Sequence, residues 1–299
     1  MGHMTAVDEK TGRKFYLDDP DDLRAGEPVT FILNLHGGGS VGAWQQRYFP
    51  AIDFKNQYRL VVATPSAATK EPARRWVGEA DDAHLHNIVD HVVAKYGAEN
   101  IRAFWLAGHS QGGMTSRRLL GEDPFFQDRV DGWLSLSGGR IGAAPRSPNA
   151  GPPQRPGQQP MTMVRPPPPE PPPVEMSFIF TVGEHEIASL PETSPWAEKY
   201  GAGPRERRPD IVDTEPGQIH DTSRIDIGTK EWGLEPRPGT AQMWVYPGAR
   251  DGRVVADVMR LDKGHTEGLE PHVTEELIKL LVSAPGGKIR SGVKARESA

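Results

Sequence analysis

Apolar runs rich in β-branched and aromatic residues recur along the chain, separated by polar or amphipathic stretches. They predict strands at 29–35, 59–64, 101–107, 130–136, 177–182, 241–246 and 254–261. Several runs are apolar almost throughout, which is typical of strands buried on both faces of a sheet. A weaker pattern at 13–17 predicts an early antiparallel strand.

Helical patterns lie between the predicted strands, at 80–96, 112–120 and 273–282. In the first of these, the apolar residues fall on one stripe at helical spacing, and Gly97 follows as a C-terminal capping signal. Strands that alternate with helices indicate an α/β fold, with a mostly parallel central sheet and helices on both faces.

Two long segments interrupt this alternation after later strands. Thirteen of the 29 prolines lie within 145–173, where no helix or central strand can run, so we expect polyproline II or disorder there. Its role is open between a spacer or lid edge and a docking arm with P-x-x-P spacing. The second segment, 189–240, is polar with a short helix near 196–200, and it is a candidate lid. We expect a flexible basic tail at 286–299.

Composition narrows the functional classes. The chain has 299 residues, 36% of them hydrophobic and 25% charged, in the range of globular proteins. The absence of Cys excludes disulfides, thiolate metal sites, iron–sulfur clusters and a cysteine nucleophile. A net charge of −5 does not favour nucleic-acid binding, and no apolar run is long enough to span a membrane.

Localisation is predicted from the N-terminal residues and from cysteine usage. Residues 1–3 have the character of an expression remnant before Met4, and no signal-peptide pattern follows. A chain without Cys also suits a reducing compartment. We therefore expect a cytoplasmic protein, or a periplasmic or secreted one if a signal peptide has been removed.

The strongest chemical signal is the sequence Gly-His-Ser-Gln-Gly-Gly at 108–113. It follows the apolar run at 101–107 and precedes a helical pattern, which is the strand–turn–helix context of a G-x-S-x-G nucleophile elbow. The glycines leave room for a tight turn that projects the hydroxyl of Ser110 above the sheet. The alternative is a glycine-rich turn with an incidental serine.

A second glycine loop, His-Gly-Gly-Gly-Ser at 36–40, follows the first long strand. Backbone N–H groups in such a loop can bind a developing oxyanion, and the donors would be Gly38, or Gly39, together with Gln111. A phosphate-binding loop or a plain turn is the alternative. No P-loop Lys-Ser/Thr follows, and the G-x-G-x-x-G pattern is incomplete.

A general base for Ser110 is expected late in the chain. His265 lies just after the last predicted strand and before the final helix, where a loop could place its imidazole over the serine. His220, in the second insertion, is the rival. Of the poorer candidates, two lie in the glycine loops and four on helices: His36, His109, His84, His86, His91 and His272.

The acid that orients the base should follow the strand at 177–182. Glu186 is the preferred candidate and Glu184 the first alternative. Other carboxylates left open as alternatives are Asp213, Asp221, Asp226 and Asp251.

The order Ser110, Glu186, His265, with the glycine loop upstream, resembles the α/β-hydrolase superfamily. More narrowly, the chain is similar to the polyhydroxybutyrate-depolymerase-like esterases, a group that includes feruloyl and acetyl-xylan esterases. The similarity covers about 29–136 and resumes at 177–186 and at His265. In that family the acid stands three residues after a glycine at a strand end, as Glu186 stands after Gly183. Glu in place of the usual Asp, the missing Cys pairs and the two insertions depart from the family.

Other residue groups give weaker signals. Trp44 and His109 are candidate substrate-binding residues, although Trp44 could equally pack beneath the glycine loop. Trp196 and Trp232 could cover the site or anchor the second insertion. A metal site formed by His84, His86, His91 and their acidic neighbours is disfavoured, because alternate spacing places His84 and His86 on different sides of a helix.

These signals together predict one α/β-hydrolase domain over 5–285, because the strand at 177–182 and the acid and base beyond it complete the site begun before the prolines. The predicted activity is hydrolysis of a small-molecule or polymeric carboxylic ester, with no cofactor and no metal. An amide hydrolase with the same triad and a non-catalytic binding module are the alternatives. The sequence does not predict the oligomeric state.

Overall fold

The computed structural model describes residues 4–71, 73–140, 170–186, 190–219 and 230–297. Most of the proline-rich segment, 145–169, lies outside the described residues, as do His220, Asp221 and Asp226. Within the part of the chain that is described, no helix is both long and apolar enough to cross a membrane.

All strands of the described residues join one twisted, mixed sheet in the order β1-β2-β4-β3-β5-β6-β7-β11-β10-β8, with β9 also paired to β10. The strands are β1 (Met4–Asp8), β2 (Arg13–Asp18), β3 (Val29–Leu35), β4 (Leu60–Pro65), β5 (Ile101–His109), β6 (Gly132–Leu136), β7 (Ser177–Gly183), β8 (Glu206–Arg207), β9 (Ile211–Val212), β10 (Thr240–Val245) and β11 (Val255–Arg260). The six central strands in this order, β4-β3-β5-β6-β7-β11, are parallel to one another. At the two sides of the sheet, β1, β2 and β10 pair antiparallel with their neighbours. The predicted mostly parallel sheet is confirmed.

Helices cover both faces of this sheet, as the alternating pattern predicts. They are α1 (Gly42–Tyr48), α2 (Lys55–Tyr58), α3 (Gly78–Tyr96), α4 (Gln111–Glu122), α5 (Pro124–Gln127), α6 (Pro195–Lys199), α7 (Pro271–Ser283) and α8 (Lys288–Glu297). Short 3-10 turns occur at Ala51–Phe54, Ala98–Asn100, Glu184–Glu186 and Arg250–Gly252.

Alternate side chains of the central strands feed two apolar layers. In β5, Phe104 and Leu106 join the layer packed against α3 and α4, while Trp105 and Ala107 join the layer packed against α7. All four are fully buried. This two-sided burial explains why the strand sequences are apolar almost throughout rather than alternating.

The parallel pairing of β6 with β7 bears on the proline-rich segment. These strands flank 145–173 in sequence, yet Gly132 lies opposite Ser177 in the same sheet. Because all the parallel strands run in one direction, the loops after β3, β5, β6, β7 and β11 emerge at one edge of the sheet. The candidate chemical residues lie in those loops.

The C-terminal segment, where the sequence predicts a flexible basic tail, contains a helix. Residues 288–297 form α8, and Ile289 is buried in the layer that contains α3 and α4. Gly286 lies close against β5, because a Cβ atom there would be 2.4 Å from the carbonyl oxygen of Arg102. The buried side chain of Ile289 and the close contact of Gly286 with β5 hold the start of this helix. The basic composition of the segment did not predict a helix there.

Candidate active site

Ser110 occupies a sharp turn between the end of β5 and the start of α4. Its φ of 50° and ψ of −115° are unusual for a residue other than glycine, which is the strained geometry of a nucleophile elbow. A Cβ atom at Gly108 would lie 2.4 Å from the carbonyl carbon of Gly112, and one at Gly112 would lie 2.3 Å from the carbonyl oxygen of Leu35. Both glycines are therefore required by close backbone packing.

The imidazole of His265 lies between the serine and a carboxylate. Its Nε2 is 2.8 Å from Oγ of Ser110, and its Nδ1 is 2.6 Å from Oε2 of Glu186. His265 lies in the loop between β11 and α7, and Glu186 lies in the 3-10 turn that follows β7. The parallel sheet thus brings together three residues that are far apart in sequence.

The alternative acids occupy other positions. Glu184 accepts a hydrogen bond from the backbone N–H of Asp262 at 2.8 Å and does not contact His265. Asp213 accepts from the first N–H groups of α7, and Asp251 lies in a 3-10 turn before β11. Among the described carboxylates, Glu186 is the one that contacts His265.

The glycine loop after β3 lies beside the start of α4. The N–H of Gly39 donates to the carbonyl oxygen of Arg74 at 2.6 Å, whereas that of Gly38 has no acceptor among the described residues. A Cβ atom at Gly38 would be 3.8 Å from Cβ of Gln111, so the two residues adjoin. The N–H of Gln111 opens a helix and lacks an intrahelical acceptor. The geometry therefore favours Gly38 over Gly39 as the candidate N–H donor that would act together with the N–H of Gln111.

The buried side chain of His36 helps to fix the conformation of this loop through hydrogen bonds. Its Nδ1–H donates to the carbonyl oxygen of Gly37 at 2.7 Å, and its Nε2 accepts from the N–H of Ala67 at 3.0 Å. Trp76 donates through its indole N–H to the carbonyl oxygen of His36 at 2.8 Å. Burial, assisted by the charge of Arg74, lowers the pKa of His36 to about 4. The neutral imidazole therefore has both nitrogens engaged.

The ring of His109 contacts that of His265 and those of Trp44 and Tyr48 in α1. The ring of His109 is 3.8 Å from that of Tyr48, which stacks in turn on Trp44 at 5.2 Å. The Nε2–H of His109 donates to the carbonyl oxygen of His265 at 2.8 Å, and burial keeps the pKa of His109 well below its ordinary value. Since His109 is only 3% exposed, it supports the loop that carries His265 and presents almost no surface to a substrate. Trp44 is partly exposed.

Part of the second insertion is bound to the loop that carries His265, here called the base loop after the role proposed for His265 below. In the segment 230–239, here called the insertion arm, the carbonyl oxygens of Glu231 and Trp232 accept from the N–H groups of His265 and Thr266 at 2.9 and 2.8 Å. The ring of Trp232 meets that of His265 edge-on, with centroids 5.2 Å apart. The predicted lid is thus attached, over this arm, to the base loop.

A buried ionic cluster holds the same loop from inside. Arg260 pairs with Glu270 at 2.9 Å, and Lys263 pairs with the other carboxylate oxygen of Glu270 at 2.8 Å. Glu267 accepts from the N–H of Gly264 at 2.6 Å and pairs with Arg237 of the insertion arm at 2.8 Å. Although burial alone would raise it, the pKa of Glu270 is lowered by its two cationic neighbours.

The sequence did not point to these supporting residues. Arg237 and Glu267 are thirty positions apart and share no motif spacing. Charged residues in a loop usually predict a solvated surface, and only the folded structure shows that Lys263, Glu267 and Glu270 are buried.

The histidines considered for a metal site are engaged elsewhere. His84 pairs with Asp8 at 2.8 Å in the interior, and His86 pairs with Asp123 at 2.6 Å. The described residues contain no group of three or more His, Cys, Asp or Glu side chains arranged to hold a metal ion. His84 is fully buried, whereas the side chain of His86 is partly exposed.

Comparison with solved structures finds esterases and serine hydrolases. An acetyl xylan esterase from Aspergillus awamori matches with a TM-score of 0.52 at 12% identity, over 94% of this chain and 100% of that one. Esterase 2 of Thermogutta terrifontis has a TM-score of 0.39 at 15% identity, over 61% and 72% of the two chains. The fluorophosphonate-binding serine hydrolase F of Staphylococcus aureus has a TM-score of 0.34 at 16% identity, over 45% and 56%.

At the level of sequence, no protein-family model and no curated protein matches the chain. The match to the acetyl xylan esterase nevertheless extends over nearly the whole of both chains. Together with the parallel sheet, it confirms the predicted fold: this chain has the fold of the α/β-hydrolases.

Proposed function

We propose that this chain is a serine hydrolase that cleaves carboxylic esters, in the manner of polyester depolymerases and feruloyl esterases. The observation that carries the proposal is the position of His265, within 2.8 Å of Ser110 and 2.6 Å of Glu186. Nucleophile, base and acid in that arrangement form the constellation of acyl-transferring hydrolases. The structural likeness to an acetyl xylan esterase supports the same reaction class.

The proposed reaction proceeds through an acyl-enzyme. Neutral His265 takes the proton of Ser110 as Oγ attacks the ester carbonyl carbon, and then gives that proton to the departing alkoxide oxygen. A water molecule next attacks the acyl carbon, loses a proton to His265 and releases the carboxylic acid, while Ser110 regains its hydrogen. Glu186 holds the imidazole in the Nδ1–H tautomer and stabilises the imidazolium in both halves. Neither half requires a cofactor.

The N–H groups of Gly38 and Gln111 are proposed to form the oxyanion hole. They adjoin beside the elbow, and the N–H of Gly38 has no acceptor among the described residues. Each such donor typically lowers the barrier by ~3 kcal/mol, because it is already oriented toward the charge that develops in the transition state. Trp44, partly exposed near the base loop, is proposed to line the substrate site.

Turnover of p-nitrophenyl esters by Ser110→Ala tests the proposal. We expect activity to disappear while the thermal melt stays within about 2 °C of the unchanged protein, because removing one partly exposed hydroxyl disturbs little packing. Ser283→Ala, at the exposed end of α7, serves as the matched control and should retain full turnover. Retained turnover in Ser110→Ala would exclude the serine mechanism.

A fluorophosphonate probe gives an independent readout of the same serine. Its phosphorus should bond to Oγ of Ser110 with loss of fluoride, and intact mass should show one adduct that Ser110→Ala abolishes. An unlabelled protein would favour a non-catalytic binding module. Matched ester and amide substrates then distinguish an esterase from an amide hydrolase, and we expect the ester to react faster.

A further inference from the structure

Ser137, the first residue after β6, has a backbone conformation that its sequence does not explain. Its φ is 52°, in the left-handed region that costs a residue with a side chain ~1 kcal/mol relative to glycine. Gly138 and Gly139 follow directly. Glycine adopts the left-handed conformation freely, yet in this turn a serine adopts it. A serine held in this conformation requires a compensating interaction.

The hydroxyl of Ser137 makes such an interaction. It donates to Oε1 of Glu186 at 2.8 Å, and the N–H of Gly183 donates to the same oxygen at 2.8 Å. The other oxygen, Oε2, is left to accept from Nδ1 of His265 at 2.6 Å. The N–H of Ser137 donates to the carbonyl oxygen of Thr181 at 2.8 Å, which ties the turn to β7.

The length of the glutamate makes this second anchor valuable. Glutamate has one more rotatable bond than aspartate, so ordering its carboxylate costs more conformational entropy. Hydrogen bonds to a charged carboxylate contribute more than those between neutral groups. Oε1 is held by two donors, one just after β6 and one at the end of β7. The carboxylate therefore cannot turn away from the imidazole without breaking both bonds.

We propose that Ser137 is a positioning residue for Glu186: its left-handed backbone aims a hydroxyl that fixes Oε1, so that Oε2 stays on the base. This inference rests on the proposed function, because it assigns Glu186 the role of triad acid. It adds a residue between the elbow and the acid that belongs to none of the three catalytic loops.

Ser137→Gly separates the hydroxyl from the backbone. It removes the hydrogen bond and relieves the left-handed strain, so we expect an unchanged or higher Tm together with a kcat about tenfold lower and an unchanged KM. Ser137→Ala removes the same hydroxyl but keeps the strain. Its kcat should equal that of the glycine variant and its Tm should be lower.

The control variant is Ser135→Ala. Ser135 lies two residues earlier and donates to the carbonyl oxygen of Gly139 at 2.8 Å, without contacting the acid. It should keep kcat within about twofold, because hydroxyl loss in this turn does not by itself disturb the base. A loss equal to that of the Ser137 variants would assign the effect to the turn as a whole and overturn the proposal.

A double-mutant cycle gives the decisive readout. In a Glu186→Gln background, Ser137→Gly should lower kcat by less than about twofold, because the carboxylate that the hydroxyl positions is already absent. Additive losses, or a full kcat in Ser137→Gly alone, would overturn the positioning role. Neither result would affect the proposed serine hydrolysis, which fails only if Ser110→Ala retains turnover.

Discussion

Lowering the pH should destabilise the protein through His36, the histidine beneath the glycine loop. The imidazole is fully buried and has both nitrogens engaged: one donates to Gly37 and the other accepts from Ala67. Protonation would place a hydrogen on Nε2, facing the N–H of Ala67, and replace an attraction with a repulsion. Acid therefore acts on the loop that carries Gly38, one of the two proposed oxyanion donors.

The size of the effect follows from the pKa of His36, about 4 in the folded state. An exposed histidine has a pKa near ~6.5, so between those values the unfolded chain binds the proton more readily. The free energy of unfolding must then rise with pH, and the stability present above pH ~6.5 is lost as the pH falls toward the folded pKa. Linkage gives a loss of ~2 kcal/mol between pH 7 and pH 5 from this one residue.

Equilibrium urea denaturation followed by tryptophan fluorescence at pH 7, 6 and 5 measures this loss, with His36→Gln as the comparison. The glutamine oxygen can accept from Ala67 and does not titrate, so the variant should lose ~2 kcal/mol less than the unchanged protein over that range. The contribution of the other buried histidine near the site, His109, is common to both proteins and cancels in the difference. Parallel plots of unfolding free energy against pH would refute the reasoning.

Three further predictions concern the acid, the elbow and the insertion arm. Glu186→Gln should lower kcat on a p-nitrophenyl ester by about 10³-fold or more, and Glu184→Gln by less than about threefold; the reverse order would transfer the role of acid. Gly112→Ala should lower the free energy of unfolding, measured by urea titration, by more than ~3 kcal/mol, since its Cβ would lie 2.3 Å from a backbone oxygen of β3. Gly121 lies on the same helix with open space around it, so Gly121→Ala should raise that free energy by ~0.5–1 kcal/mol. Equal effects of the two would contradict the packing argument. Arg237→Gln should lower both Tm and kcat, the latter about tenfold at constant KM, because it removes the nearer of the two cations paired with the buried carboxylate of Glu267. An unchanged kcat would show that the arm does not position His265.

The sequence predicts the central sheet well because the interior strands are buried on both faces. The run at 29–35 is observed as β3, and the elbow has its expected place between β5 and α4. Short edge strands were missed for a physical reason. β8 and β9 have two residues each, and they depend on pairing with β10 rather than on their own composition.

In the loops that meet at the sheet edge, a sequence motif marks the positions where the backbone conformation restricts the residue type. No motif marks the positions where a side chain contacts a residue that is distant in sequence. Glycines around Ser110 are visible in the sequence because no other residue fits there. Ser137 looks like an ordinary serine until its φ and its bond to Glu186 are known. The role of Arg237 is likewise not visible in the sequence, because its ion pair with Glu267 is recognisable only in the folded loop.

The pairing of the insertion arm with the base loop has a consequence for engineering. Glu231 and Trp232 supply two backbone bonds to the loop around His265, and Arg237 supplies a charge to its buried Glu267. Exchanging the insertion for that of a relative would remove these supports, so 230–239 and 262–268 must be transplanted as one module. Variation intended to change which substrates are accepted therefore belongs in the parts of the insertion outside that module.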